Sequence, residues 1–211
     1  TDLTAADLSN AIVKNARFSR GDSYLTGSRV IQGGLSKEQL YSTESYQLGD
    51  LTGIVLGSCE LTASNFAHQN LSNADFYMSV LTGADFRNAN LASARFESAA
   101  LGNANFSDAN LSSAVLDSAL LTSANFSGAT IRGTSFARGY VYVNNAAVFQ
   151  GGITAEQLYS TESYHHRDLT GVNLGTHDLA GGDFADQNMT ASTLTDAMLA
   201  NAHFNNANLS N

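Results

Sequence analysis

Three regularities predict an all-β solenoid. A large apolar residue returns at every fifth position, a small residue stands two places before most of these, and a 39-residue segment occurs twice at a fixed offset. From Leu51 the five-residue beat runs through eighteen successive steps to Phe136. It also runs through Leu3, Leu8, Val13 and Phe18, and again from Leu169 to Leu209. A helix would need mixed spacings of three and four, and a strand would alternate at two. A step of five instead describes a very short extended piece followed by a turn.

The small residues supply the orientation. Ala74, Ala84, Ala89, Ala94, Ala104 and Ala109 each lie two places before a Leu or Phe. Residues two apart on an extended segment face the same side, so both point inward. The Asn, Asp, Ser, Thr and Gly residues between them suit turns and face solvent. The expected structural core therefore includes Leu51, Phe66, Phe86, Leu91, Phe106, Leu111 and Phe126, with Phe184 and Phe204 further on.

Ala74-Asp75-Phe76, Ala84-Asp85-Phe86, Ala89-Asn90-Leu91 and Ala109-Asn110-Leu111 resemble the A(D/N)LXX motif of pentapeptide repeat proteins. The resemblance covers most of the chain and implies a right-handed quadrilateral β-helix with about 20 residues per coil. The sequence independently favours an even number of sides. From Leu61 to Phe136 the large residues alternate Leu-like and Phe, with Leu116 the one departure. In a four-sided coil Phe66, Phe86, Phe106 and Phe126 stack on one face and Leu71, Leu91 and Leu111 on the next, whereas three sides would stack Leu on Phe.

Residues 33–71 recur at 151–189 with 22 of 39 identities, an internal duplication offset by 118 positions within a single solenoid spanning 1–211. Five coils of about 20 leave about 18 residues for an insertion, expected at about 31–48 and about 149–166. Each holds a capping box, Ser36-Lys37-Glu38-Gln39 and Thr154-Ala155-Glu156-Gln157, that should start a short helix. Leu35, Leu40 and Tyr41, like Ile153, Leu158 and Tyr159, should dock it on the rod, and the Ser-Thr-Glu-Ser run should end it. Gln69 and Gln187 occupy one inward position in both copies, where an amide must be hydrogen-bonded or is costly. They are read either as bonding backbone where the insertion leaves the coil or as tolerated polar residues at the core edge.

The formal charge of −9 disfavours nonspecific nucleic-acid binding, which rests on Lys and Arg. The resemblance implies one further possibility, an acidic rod that mimics DNA and binds a type II topoisomerase. The charge distribution opposes it, because residues 87–136 are neutral and the acidic surplus falls in two zones, 50–86 and 168–211. A DNA mimic needs a continuous acidic stripe.

Candidate chemistry is sparse. Tyr164, His165, His166, Arg167, Asp168, His177 and Asp178 form the densest titratable group, but adjacent imidazoles on extended chain point apart, and the first copy has Gln47, Leu48, Asp50, Cys59 and Glu60 in place of the histidines and aspartates. These side chains are expected to be solvated on the outside of the coil, with no metal. Cys59 and His177 hold equivalent Ala-sized inward positions, so Cys59 is expected to be buried and structural and His177 to be a satisfied, half-buried imidazole. No nucleophile elbow, phosphate-cradling loop or dinucleotide fingerprint is present, so neither an enzyme nor a cofactor or small-molecule substrate is expected. Apolar runs are too short to span a bilayer as a helix.

The chain begins at Thr1 without a signal segment, as a processed chain or a cut piece would. The insertions resemble those of long secreted bacterial arrays, which implies an extracellular or cell-surface location. Leu3 and Leu209 belong to coils that no proline, charged run or helix covers, so they are expected to be open edges able to stack copies end to end into a filament. The expected function is a noncatalytic structural or protein-interaction rod, with a protein partner that includes the chain itself.

Overall fold

A computed structural model describes residues 3, 5–19, 21–25, 28–32, 34–143 and 146–211. Gly33, the first residue of the duplicated segment, lies outside them. The five-residue step is the unit of the backbone. In each step one residue makes isolated parallel β-bridges to the adjacent coils, and the next four turn the corner. Asp50 bridges Asn70, Val55 bridges Asp75, Glu60 bridges Val80 and Asn65 bridges Asp85, each pair 20 residues apart. One coil thus takes four steps. Leu51 N–H donates to Asn70 O (2.9 Å) and Asn70 N–H to Gly49 O (2.8 Å), which ties successive coils. At the corner Ile54 N–H donates to Leu51 O (3.1 Å).

That turn puts its third residue at positive φ. Asn73, Asn88, Asn103 and Asp108 sit there at 55–59°, a region that short polar side chains tolerate through local hydrogen bonds. The sequence's preference for Asn, Asp, Ser and Gly between its apolar beats follows from this corner.

Two phenylalanine ladders fill the interior. Phe66, Phe86, Phe106 and Phe126 stack at 5.0–5.1 Å, close to one rung spacing. Phe76 and Phe96 stack at 4.9 Å on the opposite side. The two ladders meet edge to face at 5.6–5.9 Å, so the core is two rings wide. Leu51, Leu91 and Leu111 are fully buried beside them, and Phe184 nearly so. Phe204 stacks on Phe184 at 5.0 Å but is only half-buried.

Two departures interrupt the coils, and both are larger than 31–48 and 149–166. Each starts with an antiparallel hairpin that the sequence reading missed: β1 (Gly21–Leu25) with β2 (Ser28–Gln32), and β3 (Gly139–Val143) with β4 (Ala146–Gln150). Two helices then follow in each: α1 (Lys37–Ser42) and α2 (Glu44–Gln47), α3 (Ala155–Tyr159) and α4 (Glu162–His165). The Ser-Thr-Glu-Ser run does not simply end a helix. Thr43 closes α1 and caps α2, accepting from Tyr46 N–H, and Thr161 serves α4 in the same way through Tyr164 N–H.

Across each departure the bridge spacing jumps from 20 to 38, at Arg17 with Val55 and at Ser135 with Asn173. The extra 18 residues leave the register intact. One ladder therefore runs unbroken past both departures: Arg17, Val55, Asp75, Arg95, Val115, Ser135, Asn173 and Thr193.

Candidate functional site

The rod offers three kinds of surface: helix docking sites, polar ladders, and the face from which the hairpins leave. Docking uses nearly every polar residue of the shared Glu-Gln-Leu-Tyr-Ser-Thr-Glu-Ser-Tyr segment. Both capping boxes are closed, with Ser36 and Thr154 as caps. The same glutamines also reach the coil below: Gln39 Nε2 donates to the carbonyls of Leu3 and Ala6 (2.8 and 2.9 Å), and Gln157 Nε2 to those of Leu121 and Ala124 (2.9 and 2.8 Å). Ser45 Oγ accepts from Val13 N–H, and Ser163 Oγ from Ile131 N–H, both at 2.9 Å. Leu40 and Leu158 are fully buried beneath their helices, while Tyr41 and Tyr159 are partly buried against the core.

On the other side of each helix pair, two tyrosine hydroxyls replace a displaced rung. In a regular coil Asp85 donates to Ser64 O and accepts from Phe66 N–H. Asn65 instead donates to Tyr41 Oη (2.6 Å) and accepts from Tyr46 Oη (2.9 Å). Asp183 does the same with Tyr159 and Tyr164, both at 2.8 Å. Burial raises the Tyr46 and Tyr164 phenols above their ordinary pKa, with Tyr41 adding to the first and Asp183 and Tyr159 to the second. Gln69 and Gln187 lie buried under these pairs, and each Nε2 donates to a helix-end carbonyl, Tyr46 O or Tyr164 O, at 3.0 Å. Leu3 is half-buried, whereas Leu209 is exposed.

The polar ladders are internally satisfied. Asn110 donates to Asn90 (3.2 Å) and Asn90 to Asn70 (3.0 Å), and Asn125 donates to Asn105 (3.2 Å) on another face. Much of the acidic surplus is paired. Arg95 joins Asp75 (3.1 Å) and Glu97 (3.0 Å), Arg87 holds Asp85 (2.7 Å), and Lys14 holds Asp50 (2.7 Å). The Lys14 hydrogen bond, with Thr52 next, draws the Asp50 carboxyl down to about 2.

His165, His166 and His177 do not converge. His166 Nδ1 lies 3.2 Å from Glu162, whereas His177 is buried with Nδ1 3.0 Å from Gly175 O. His177 Nε2 has no hydrogen-bond partner among the described residues, a correction to the expectation of a satisfied, half-buried ring. It is packed shut by Gly152, at φ 85°, where a Cβ would collide with the imidazole and with Arg138. Burial lowers the His177 pKa, and Arg138 adds to that. Cys59 is buried at the equivalent position, with Sγ 3.3 Å from Phe18 O. Among the described residues no three His, Cys, Asp or Glu side chains gather as a metal site, and no helix is long and apolar enough to cross a membrane.

These features define a solenoid protein of stacked five-residue steps whose distinctive chemistry lies on its outer faces. Residues 50–126 match the family model described as a pentapeptide repeat region, and this stretch belongs to the pentapeptide repeat family. Among solved structures, the chain is similar to the pentapeptide repeat protein Rfr23 of the cyanobacterium Cyanothece 51142, at 17% identity over 73% of this chain and 90% of that one, with a TM-score of 0.35. A pentapeptide repeat protein of the Arabidopsis thaliana thylakoid lumen is 31% identical over 41% of this chain and 64% of its own, with a TM-score of 0.26. HetL of Nostoc sp. strain PCC 7120, involved in heterocyst differentiation regulation, is 22% identical over 72% and 73%, with a TM-score of 0.30. None of the curated proteins compared with the chain matches it.

Proposed function

We propose that the chain is a noncatalytic rod, a right-handed quadrilateral β-helix, that binds other proteins through its flat faces. The observation that carries this reading is the ladder arrangement itself. Side chains such as Asn70, Asn90 and Asn110 are held by their own neighbours at one rung spacing, so each face is rigid before any partner arrives. The interior is filled by rings and aliphatic side chains, and the titratable groups are spread along the rod. The location proposed is outside the cell or on its surface. End-to-end stacking through the coils of Leu3 and Leu209 is the narrower, self-associating form of the same role.

The competing reading, an acidic mimic of DNA that binds a type II topoisomerase, is opposed by Lys14, Arg87 and Arg95, which neutralise Asp50, Asp85 and Asp75 along one acidic zone. Affinity capture with the immobilised chain tests the proposal. A partner should be retained by the wild type and lost on Asn90→Lys or Asn110→Lys at unchanged melting temperature. Inhibition of gyrase supercoiling by the chain would replace this reading with the mimic, and turnover of a substrate would refute it.

A further inference from the structure

Among the described residues, eight of the eleven exposed large apolar side chains lie on or beside one face, or on the hairpin that leaves it. Where the opposite face carries Asn70, Asn90 and Asn110, and an adjacent one Asn65, Asp85 and Asn105, this one carries Glu60, Val80, Ala100 and Leu120 in one bridged ladder. Tyr77 and Met78 form the corner leading to Val80, and these three with Leu120 are each 36–46% exposed. Three rungs beyond that corner, β3 and β4 depart, and a cavity of about 270 Å³ opens between hairpin and rod, lined by Ser98, Ser118, Leu120, Gly139, Tyr140 and Gln150. That volume lies below the usual range for a small-molecule site and suits a single side chain.

We propose that this face is the contact between two copies of the chain, packed with their rods antiparallel about a two-fold axis beside Ala100. The proposal narrows the protein-interaction reading and rests on it. The stripe is self-complementary about Ala100, with Val80 one rung to one side and Leu120 one rung to the other. A two-fold axis lying in the interface and perpendicular to the rods sets Val80 against Leu120 twice and Ala100 against Ala100, where small side chains allow close approach. The same operation keeps each corner on its own edge, so Tyr77 and Met78, one rung before the axis, land at Ser118, one rung after it. Their target is the mouth of the cavity. An isologous contact of this kind closes at two copies. Glu97, at the corner nearest the axis, is already paired with Arg95, so no bare like charges oppose each other there.

The area suffices for a weak dimer. From Glu60 to the Gly139–Tyr140 level the stripe spans four rung spacings, about 19 Å. With its corners and the hairpin flank, each copy would bury about 500–600 Å², near the lower bound of specific interfaces. Affinity in the micromolar range is expected.

Sedimentation equilibrium from about 1 μM to about 1 mM should show a monomer–dimer equilibrium. Val80→Glu and Leu120→Glu should each weaken it at least about tenfold by burying a charge in the contact. Asn90→Glu on the opposite face should leave it unchanged. All three positions point outward, so melting temperatures should match the wild type. Register is read by cross-linking with a short bismaleimide, because Cys59 is buried and offers no exposed thiol. Ala100→Cys should link to itself, and Val80→Cys should link only when mixed with Leu120→Cys. A monomer throughout the range overturns the proposal, even if the chain still captures a partner protein and the rod reading stands. So does a dimer indifferent to both glutamates, or Val80→Cys linking to itself.

Discussion

Replacing Phe106 with alanine removes the middle of a ladder. Its ring lies 5.0 Å from both Phe86 and Phe126 and meets Phe96 edge to face at 5.9 Å, and it is fully buried. Lost burial and the residual cavity together cost about 3–5 kcal/mol for a buried Phe→Ala change. The upper end is expected, because three aromatic pairs vanish at about 0.5–1.5 kcal/mol each, and hydrogen-bonded coils above and below cannot collapse into the gap. Phe96→Leu sets the scale. The opposite ladder already accepts Leu116 between Phe96 and Phe136, so that change should cost less than about 1.5 kcal/mol. Urea unfolding followed by circular dichroism measures both. Ala104→Glu should be far worse than Asn105→Glu, since Ala104 is buried and Asn105 lies on the outer ladder. Equal costs for Phe106→Ala and Phe96→Leu, or for the two glutamates, would refute the inward and outward assignment.

Gln157→Ala should lose about 2 kcal/mol, because one amide accepts from Thr154 N–H and donates to the carbonyls of Leu121 and Ala124. Gln157→Glu should do no better, since a carboxylate keeps the cap and forfeits both donors; accelerated amide exchange at Leu158 is the readout. For His177 the folded pKa is lowered, so the neutral ring is favoured in the folded state and the unfolded chain binds the extra proton. The stability it contributes is complete above the unfolded pKa of about 6.5 and is lost as pH falls through the lower folded value. His177→Cys, which copies Cys59, should flatten the melting temperature over that acidic range, and an unchanged slope would remove His177 as its source.

The repetitive part of the fold was legible because every coil repeats one environment. Ala104 and Phe106 face in, Asn105 faces out, and the turn returns five residues later. The offset of 118 likewise contains the register, since it divides into five coils and the 18-residue surplus seen between Ser135 and Asn173. The hairpins were harder to read, because they pair only with themselves and interrupt the beat. Tyr140-Val141-Tyr142-Val143 and Ala146-Ala147-Val148-Phe149 around Asn144-Asn145 were nevertheless a hairpin signal. The Ser-Thr-Glu-Ser run ends α1 as expected, and α2 was hidden because Thr43, which closes α1, is also a good N-cap for the next helix. The surfaces were least legible. Gln39 reads as a capping-box residue, but its second role depends on carbonyls 33 and 36 positions away. The apolar stripe emerges only when positions 80, 100 and 120 are brought together.

The tyrosine pairs have a consequence for how such a rod changes length. Because Tyr41 and Tyr46 present to Asn65 one acceptor and one donor, as a neighbouring coil would, the array above an insertion is offered the same template as the array below. A block of 118 residues, departure included, is thus a removable cassette. Its excision or duplication leaves every flanking bridge with a partner of the same kind, and length shifts in quanta of five rungs, about 24 Å. Recombination between the two duplicated segments has no seam to repair.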